Sequence, residues 1–404
     1  MRVFLFVLLL LPALSFGQAA KKADNQITIG NKDTFHSAIL KEDREIWVYV
    51  PKSGWAGSKA RFPVMYLLDG EAFFTSMVGT VDYLSTVVGK MPEMIIVGIR
   101  NTDRTRDLTP THYPFWSDGR ATNDLKTSGG GPKFMAFLEK ELMPYVEKRY
   151  STQPYRMFVG HSLGGLTVLS ALVNQPTLFN SYVALDPSLW WDKLLIMRQA
   201  EKVLTQKDNV GESLFMATAN TMAKDMDTVR VLQDKANDNH SVREALQFRE
   251  TLRKSRNLSW TWKFYPEENH GSVPLPAQQD ALRFLFKKYE MAKELDDTTI
   301  TVAYVKDHYK AVSAMMQYPV LPSAGAVNAL GYIALENKRY DQAYQFFKLN
   351  LDNYPADGNL HDSMGDYYVA IGDKKNAMEA FRKALSLEEV AETRRKLKSL
   401  EAGQ

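Results

Sequence analysis

Tyr155-Arg156-Met157-Phe158-Val159-Gly160-His161-Ser162-Leu163-Gly164-Gly165 runs from an apolar stretch of strand length into a glycine-flanked serine, and Leu166-Thr167-Val168-Leu169-Ser170-Ala171-Leu172 follows at once. A serine on a sharp strand-to-helix turn needs glycine two residues before and two after it. The turn strains the serine backbone and brings strand and helix too close for larger side chains. Gly160 and Gly164 meet that demand. The stretch reads as strand, nucleophile elbow and helix, with Ser162 as the candidate nucleophile.

Outward from the elbow, residues 26–290 alternate strand-length apolar runs with amphipathic segments of helix length. The expected strands are 46–50, 63–68, 94–99, 157–159, 182–185, 214–218 and 260–265, and helices are expected over 133–150 and 241–254. Several of the strands are apolar almost throughout, as strands covered on both faces must be. The pattern predicts a doubly wound, mostly parallel α/β sheet.

A serine hydroxyl is a weak nucleophile until a base takes its proton. In sheets of this kind the chain order is Ser, acid, His. Of the seven histidines, His36, His112 and His161 precede Ser162, while His308 and His361 lie in a different C-terminal texture. His240 opens a helix and suits a surface or capping role. His270, in the polar loop Pro266-Glu267-Glu268-Asn269-His270-Gly271-Ser272 after the last strand, is left as the base. The acid is expected just beyond the preceding strand, in Asn220-Thr221-Met222-Ala223-Lys224-Asp225-Met226-Asp227, with Asp227 first, Asp225 second, and Asp234, Asp238 and Glu244 behind them.

Two backbone N–H groups must face the developing oxyanion. Leu163, at a helix start, is expected to give one; Gly70 or Glu71, in the loop after Leu67-Leu68, the other, although Asp69-Gly70 also suits a simple tight turn. Arg104 and Arg106 stand at the sheet's carboxyl edge, where ligands bind in open α/β sheets. They are candidates for an anionic substrate group, or for pairing with the aspartates beside them. Trp190 and Trp191 are candidates for an aromatic pocket wall or for core packing. Ser128-Gly129-Gly130-Gly131-Pro132 lacks the Lys-Ser/Thr of a phosphate loop and reads as a helix start. With no zinc pattern, His-Glu-x-x-His or dinucleotide fingerprint, no metal and no cofactor is required.

The chain has 404 residues, which predicts two domains. Its formal net charge of +3 and lack of long basic runs point to neither nucleic acid nor a membrane surface as partner. Met1-Arg2 and the short apolar run 3–14 read as a secretory signal peptide over residues 1–17, cleaved after Gly17 or alternatively after Ala19 or Ala20. An uncleaved anchor is the competing reading. The chain contains no cysteine, so it carries no disulfide and no acylated N-terminal Cys. A periplasmic or secreted bacterial protein, with no membrane span after cleavage, is the expected address.

Past residue 290 the pattern is helical only. Leu330-Gly331, Ala343 and Phe347 recur 34 positions later as Met364-Gly365, Ala377 and Phe381, a tetratricopeptide spacing; Pro355 is replaced by Glu389. This predicts an all-α domain over 298–400 with repeats at about 324–357 and 358–391, preceded by a helix at 300–317 and a loop at 321–325. Helical repeats suit a protein partner.

The elbow, Leu67-Leu68-Asp69-Gly70, Asn101-Thr102-Asp103-Arg104, Pro187-Ser188-Leu189-Trp190-Trp191 and Asn269-His270-Gly271-Ser272 together resemble the putative-esterase family of α/β hydrolases. That family includes esterase D, feruloyl esterases, mycolyltransferases and trilactone siderophore esterases. The resemblance is nearest the siderophore-esterase-like branch and covers about residues 26–290. It implies an α/β-hydrolase fold and an exported serine carboxylic-ester hydrolase, acting on a small-molecule ester of siderophore-like or aromatic type, with Ser162 and His270 carried over. The acid does not carry over, because the loop after Ala219 is longer than the family pattern. An acyltransferase of the same fold, or a tetratricopeptide scaffold with a secondary hydrolase domain, are the competing readings.

Overall fold

Strands that are apolar on both faces need cover on both faces, and this chain supplies it with helices packed above and below one sheet. The computed structural model describes residues 27–51, 60–206 and 208–403. The expected leader and the start of the first unit at residue 26 lie outside them. Eight strands form the sheet: β1 (Asn31–Ser37), β2 (Glu42–Tyr49), β3 (Phe62–Leu67), β4 (Ile95–Ile99), β5 (Thr152–His161), β6 (Ser181–Leu185), β7 (Ser213–Ala219) and β8 (Ser259–Tyr265). Their order is β1-β2-β4-β3-β5-β6-β7-β8. β1 and β2 are antiparallel to their neighbours, and the other pairs are parallel.

Alternation along the central strands divides the core. Tyr66, Val97, Phe158, Tyr182 and Met216 point to one face, and Met65, Ile96, Met157, Val183 and Phe215 to the other. Helix α1 (Gly70–Asp82) is followed by the single turn α2 (Arg104–Asp107). The segment 131–149 is helical throughout, as α3 (Gly131–Phe137), a π-helical stretch (Leu138–Leu142) and α4 (Met143–Arg149). Then come α5 (Leu163–Asn174), α6 (Trp191–Leu204), α7 (His240–Arg253) and α8 (Pro274–Leu285). Helices α3 to α7 bury side chains on the Tyr66 face, and α1 and α8 on the Met65 face. The sheet thus agrees with the doubly wound expectation. It adds β1, which the apolar-run criterion passes over because its side chains are mostly exposed.

The C-terminal part is all helical: α9 (Val302–Met316), α10 (Ala324–Glu336), α11 (Tyr340–Asn353), α12 (Gly358–Ala370), α13 (Lys374–Leu387) and α14 (Ala391–Glu401). The 34-residue spacing has a steric cause. A Cβ on Gly331 would lie 2.4 Å from the Phe347 ring, and one on Gly365 would lie 2.4 Å from the Phe381 ring. Each helical pair closes by setting a phenylalanine against a glycine. Helix α10 begins earlier than the expected loop allows, because Ser323 caps it by accepting from the Ala326 N–H.

Helix α9 belongs to two cores. Val305 packs with the repeats, whereas Val312 and Met316, with Met315, Tyr318 and Val320 beside them, pack into the Met65 side of the sheet domain. A chain ending at residue 298 is therefore expected to lose several kcal/mol, since burying each such side chain contributes about 1.5–3 kcal/mol. Thermal unfolding would show it; an unchanged Tm would mean that α9 contributes nothing to the sheet domain.

Glu244, on α7, is 7 % exposed, and its Oε2 has no hydrogen-bond partner. Burial pushes its pKa up to about 8. Between the ordinary carboxylate range and that value the folded protein keeps a proton that the unfolded chain has released. Stability is therefore greatest at low pH and falls as pH rises toward 8. Glu244→Gln should leave Tm unchanged near pH 4.5 and raise it by several degrees at pH 8, a gain of order 2 kcal/mol. Equal Tm shifts at both pH values would refute the buried-proton account.

Candidate functional site

The carboxyl ends of β3, β5 and β6 each deliver one polar residue in the left-handed half of backbone space: Asp69 at φ 52°, Ser162 at φ 60° and Asp186 at φ 42°. At the elbow, a Cβ on Gly160 would lie 2.5 Å from the Gly164 backbone, which excludes a side chain at Gly160, while one on Gly164 would press on Asp69 Oδ2 at 3.2 Å. The Ser162 N–H donates to the Leu185 carbonyl at 3.0 Å, and the Ser162 carbonyl accepts from Ser188 and Leu166 N–H, each at 3.0 Å. The nucleophile turn is thereby tied to the end of β6 and to its own helix. Ser162 Oγ lies 3.3 Å from Ser188 Oγ.

His270 Nδ1 donates to Asp186 Oδ2 at 2.5 Å, and Asp186 Oδ1 accepts from the Ala219 N–H at 3.1 Å. Asp186 is 5 % exposed and the His270 side chain is half exposed. The carboxylate that holds Nδ1 leaves Nε2 without its proton, the tautomer a general base requires. The loop carrying His270 is pinned at its base. Asn220 donates its backbone N–H to Glu268 O and its amide Nδ2 to Pro266 O, while Asn269 Oδ1 accepts from the N–H groups of Gly271 and Ser272.

The carboxylate that meets His270 is Asp186, not the expected Asp227 or Asp225. Asp227 is exposed and spends both oxygens on the turn ahead of it. Oδ1 accepts from the Val229 and Arg230 N–H groups and Oδ2 from Arg230 Nε at 2.8 Å, which lowers its pKa to about 2. Asp225 is also exposed and is not among the residues paired with His270. Asp186 follows the apolar run Tyr182-Val183-Ala184-Leu185 directly. An aspartate at the end of a buried strand was the available signal for this partner of His270, one strand earlier than the loop in which the acid was expected.

Ser162, Leu163, Asp186, Ser188 and His270 border one cavity of about 440 Å3, with Arg104, Trp116 and Trp190 on its walls. His240 borders it too, its Nδ1 donating to the Asn237 carbonyl, rather than serving only as a cap. The other expected residues divide. Arg104 donates twice to Asp69, at 2.6 and 3.0 Å, and once to the His161 carbonyl at 3.2 Å. Arg106 is tied to Glu42 and Asp107 beside the buried Arg44 and does not border the cavity, so its role is bracing. Trp191 is fully buried and donates Nε1–H to Thr111 Oγ1, which makes it a core residue. Trp190 stands 6.3 Å from Trp116 across the wall, a partner in the long loop before α3 that sequence patterning did not single out. Leu163 opens α5 at the cavity edge. Gly70 is packed against the Gly98 backbone and Glu71 turns its carboxylate to Asn101; neither borders the cavity.

Residues 37–274 match the model of the putative-esterase family, and residues 359–390 match a tetratricopeptide repeat. The ferri-bacillibactin esterase of Bacillus subtilis is 30 % identical over 213 residues, spanning 48 % of this chain and 71 % of that protein. The siderophore enterobactin esterase of Emericella nidulans is 28 % identical over 266 residues, 58 % of this chain and 85 % of that one. The crystal structure of an IroE-like serine hydrolase from Shewanella oneidensis superposes with a TM-score of 0.69 at 32 % identity, covering 80 % of this chain and all but 1 % of that one (99 % covered). With its mostly parallel eight-stranded sheet and its match across more than half of the sequence, the chain belongs to the putative-esterase family and is a carboxylic ester hydrolase.

Proposed function

We propose that this protein is an exported serine hydrolase that cleaves aromatic or siderophore-like esters through an acyl-Ser162 intermediate. The observation that carries the reading is the convergence of Ser162 with the His270–Asp186 pair on one cavity. In the reading, Ser162 Oγ turns from Ser188 toward His270, attacks the ester carbonyl carbon and gives its proton to His270 Nε2. Contacts of this kind often tighten only when substrate binds. Asp186 holds the imidazole and offsets the charge of the imidazolium. The C–O bond to the alcohol breaks, the alcohol leaves with the proton from His270, and water activated by the same base releases the acid and regenerates Ser162. The Leu163 N–H, at the positive end of α5, faces the developing oxyanion. Gly70 and Glu71, the residues expected to give the second donor, do not border the cavity, so the reading rests on the Leu163 donor alone.

Substrate preference is read from the walls. Trp116 and Trp190 offer apolar faces to an aromatic acyl or alcohol group. Arg104 has its charge matched by Asp69, so it shapes the cavity edge more than it attracts an anion. The printed names of the relatives above, a ferri-bacillibactin and an enterobactin esterase, support esters of the siderophore class. Export rests on the leader-like residues 1–17; among the described residues no helix is long and apolar enough to cross a membrane. The reading divides the chain into that leader, a catalytic unit over 26–290 and a helical unit over 298–400 whose repeats suit a protein partner. No contact in the cavity favours the transferase or the scaffold alternative.

With p-nitrophenyl acetate and butyrate, Ser162→Ala is expected to lower kcat/KM by about 10³-fold or more. Equal turnover by the two proteins would sink the acyl-serine reading. Asp186→Asn should cost about 10²–10⁴-fold in kcat, because the amide no longer selects the working tautomer, while Asp227→Asn should stay within about 2-fold of wild type. The reverse ranking of these two variants would return the acid to the loop after β7.

A further inference from the structure

We propose that His161, the residue immediately before the nucleophile, is a positioning residue for His270, locking the base loop to the elbow through a ring-to-backbone hydrogen bond. The proposal rests on the acyl-serine reading above. His161 Nε2 donates to the His270 backbone carbonyl at 2.8 Å, a contact between residues 109 positions apart in the chain. The two imidazole rings stack obliquely, with centroids 4.5 Å apart at 39°. Phe73, from α1, sets its ring against His161 at 5.7 Å and 80°, and Arg104 donates to the His161 carbonyl. His161 is thus held by α1, by α2 and by its own strand, and passes that rigidity to a loop on the other side of the cavity.

The loop needs it. Among the described residues the one hydrogen bond made by the His270 ring is Nδ1–Asp186, and its side chain is half exposed. One such bond leaves the imidazole free to pivot about the Nδ1 contact, and a displacement of about 1 Å at a reacting group costs as much as about 10²-fold in rate. A second tether at the His270 carbonyl removes that freedom without touching the reacting nitrogen. The ionisable groups near enough to act on the His161 ring charge are His270, Asp186 and Asp69. Burial, aided by the neighbouring His270, lowers the His161 pKa to about 4. At neutral pH the ring is therefore uncharged and carries its proton on Nε2, where the carbonyl accepts it. A neutral donor here also avoids opposing the positive charge that His270 acquires during each proton transfer.

The test compares His161→Gln, which keeps an N–H donor, with His161→Leu, which does not. With p-nitrophenyl butyrate, His161→Leu should lose about 10–100-fold in kcat with KM within about 2-fold, and His161→Gln should recover to within about 5-fold of wild type. Labelling of Ser162 by a fluorophosphonate, which requires the base but no turnover, should slow in parallel. If His161→Leu fails to fold, His161→Phe keeps a ring against Phe73 and serves as the donor-free variant. Wild-type kcat in the donor-free variant, or equal losses in it and in His161→Gln, overturns the proposal. A wild-type protein that neither turns over the ester nor labels at Ser162 would instead overturn the acyl-serine reading beneath it.

Discussion

The close passage of Gly160 against Gly164 is the constraint on which the rest of the site depends. It lets β5 turn into α5 within a single residue, at the expense of a positive φ at Ser162. Backbone strain of this kind costs on the order of 1–3 kcal/mol per residue and persists only where the surroundings over-determine it. Here they do: the Ser162 N–H and carbonyl are both used, by β6 and by the start of α5. Asp69 and Asp186 repeat the arrangement at the ends of β3 and β6. Asp69 is gripped by Arg104 and Asn101, and Asp186 by the Ala219 N–H and His270. The two strained aspartates are thus held by charge-assisted hydrogen bonds, about twice as strong as neutral ones, and Ser162 by backbone hydrogen bonds.

The ion pairs at this edge sort by burial, and the sorting separates scaffold from site. Arg44, Asp107, Glu42 and Arg106 form a compact group whose two central members are 1 % exposed. Such a group is costly to break because either partner left alone would be an unpaired buried charge. It fixes the turn α2 on which Arg104 stands. Arg104, about a third exposed, reaches Asp69 and the elbow carbonyl from that platform. The arginine that borders the cavity and the one that does not are two residues apart, on opposite sides of one helical turn.

The candidate nucleophile Ser162 and candidate base His270 were legible in the sequence because glycine spacing and chain order mark them. The carboxylate that meets His270 was not, because its position depends on lateral distance across the sheet. Neighbouring strands lie about 4.8 Å apart. With β7 between them, the ends of β6 and β8 are close enough for an aspartate on one and a histidine on the other to meet. β7 then contributes only the Ala219 N–H that steadies the carboxylate. The loop after β7, rich in carboxylates, attracts attention on composition alone, yet Asp227 is satisfied within its own turn. Trp190 and Trp191 show the same limit. Adjacent in sequence, they enter different environments, Trp191 in the core and Trp190 at the cavity, and Asp192, Lys193 and Leu194 just beyond them all take left-handed backbone angles that residue type does not announce.

The 34-residue repeat was legible for the opposite reason: its determinant is a contact within each helical hairpin, Gly331 with Phe347 and Gly365 with Phe381. What periodicity cannot show is where the array begins. Two hairpins expose a face that needs a neighbour, and repeat arrays meet that need with terminal helices. In this chain the N-terminal neighbour is α9, which covers the first hairpin through Val305 and the sheet domain through Val312 and Met316. A helix shared between two cores couples their stabilities, since loosening either one exposes apolar surface of the other. Helix α9, against which the first hairpin packs, is therefore part of what keeps the Met65 face of the sheet dry.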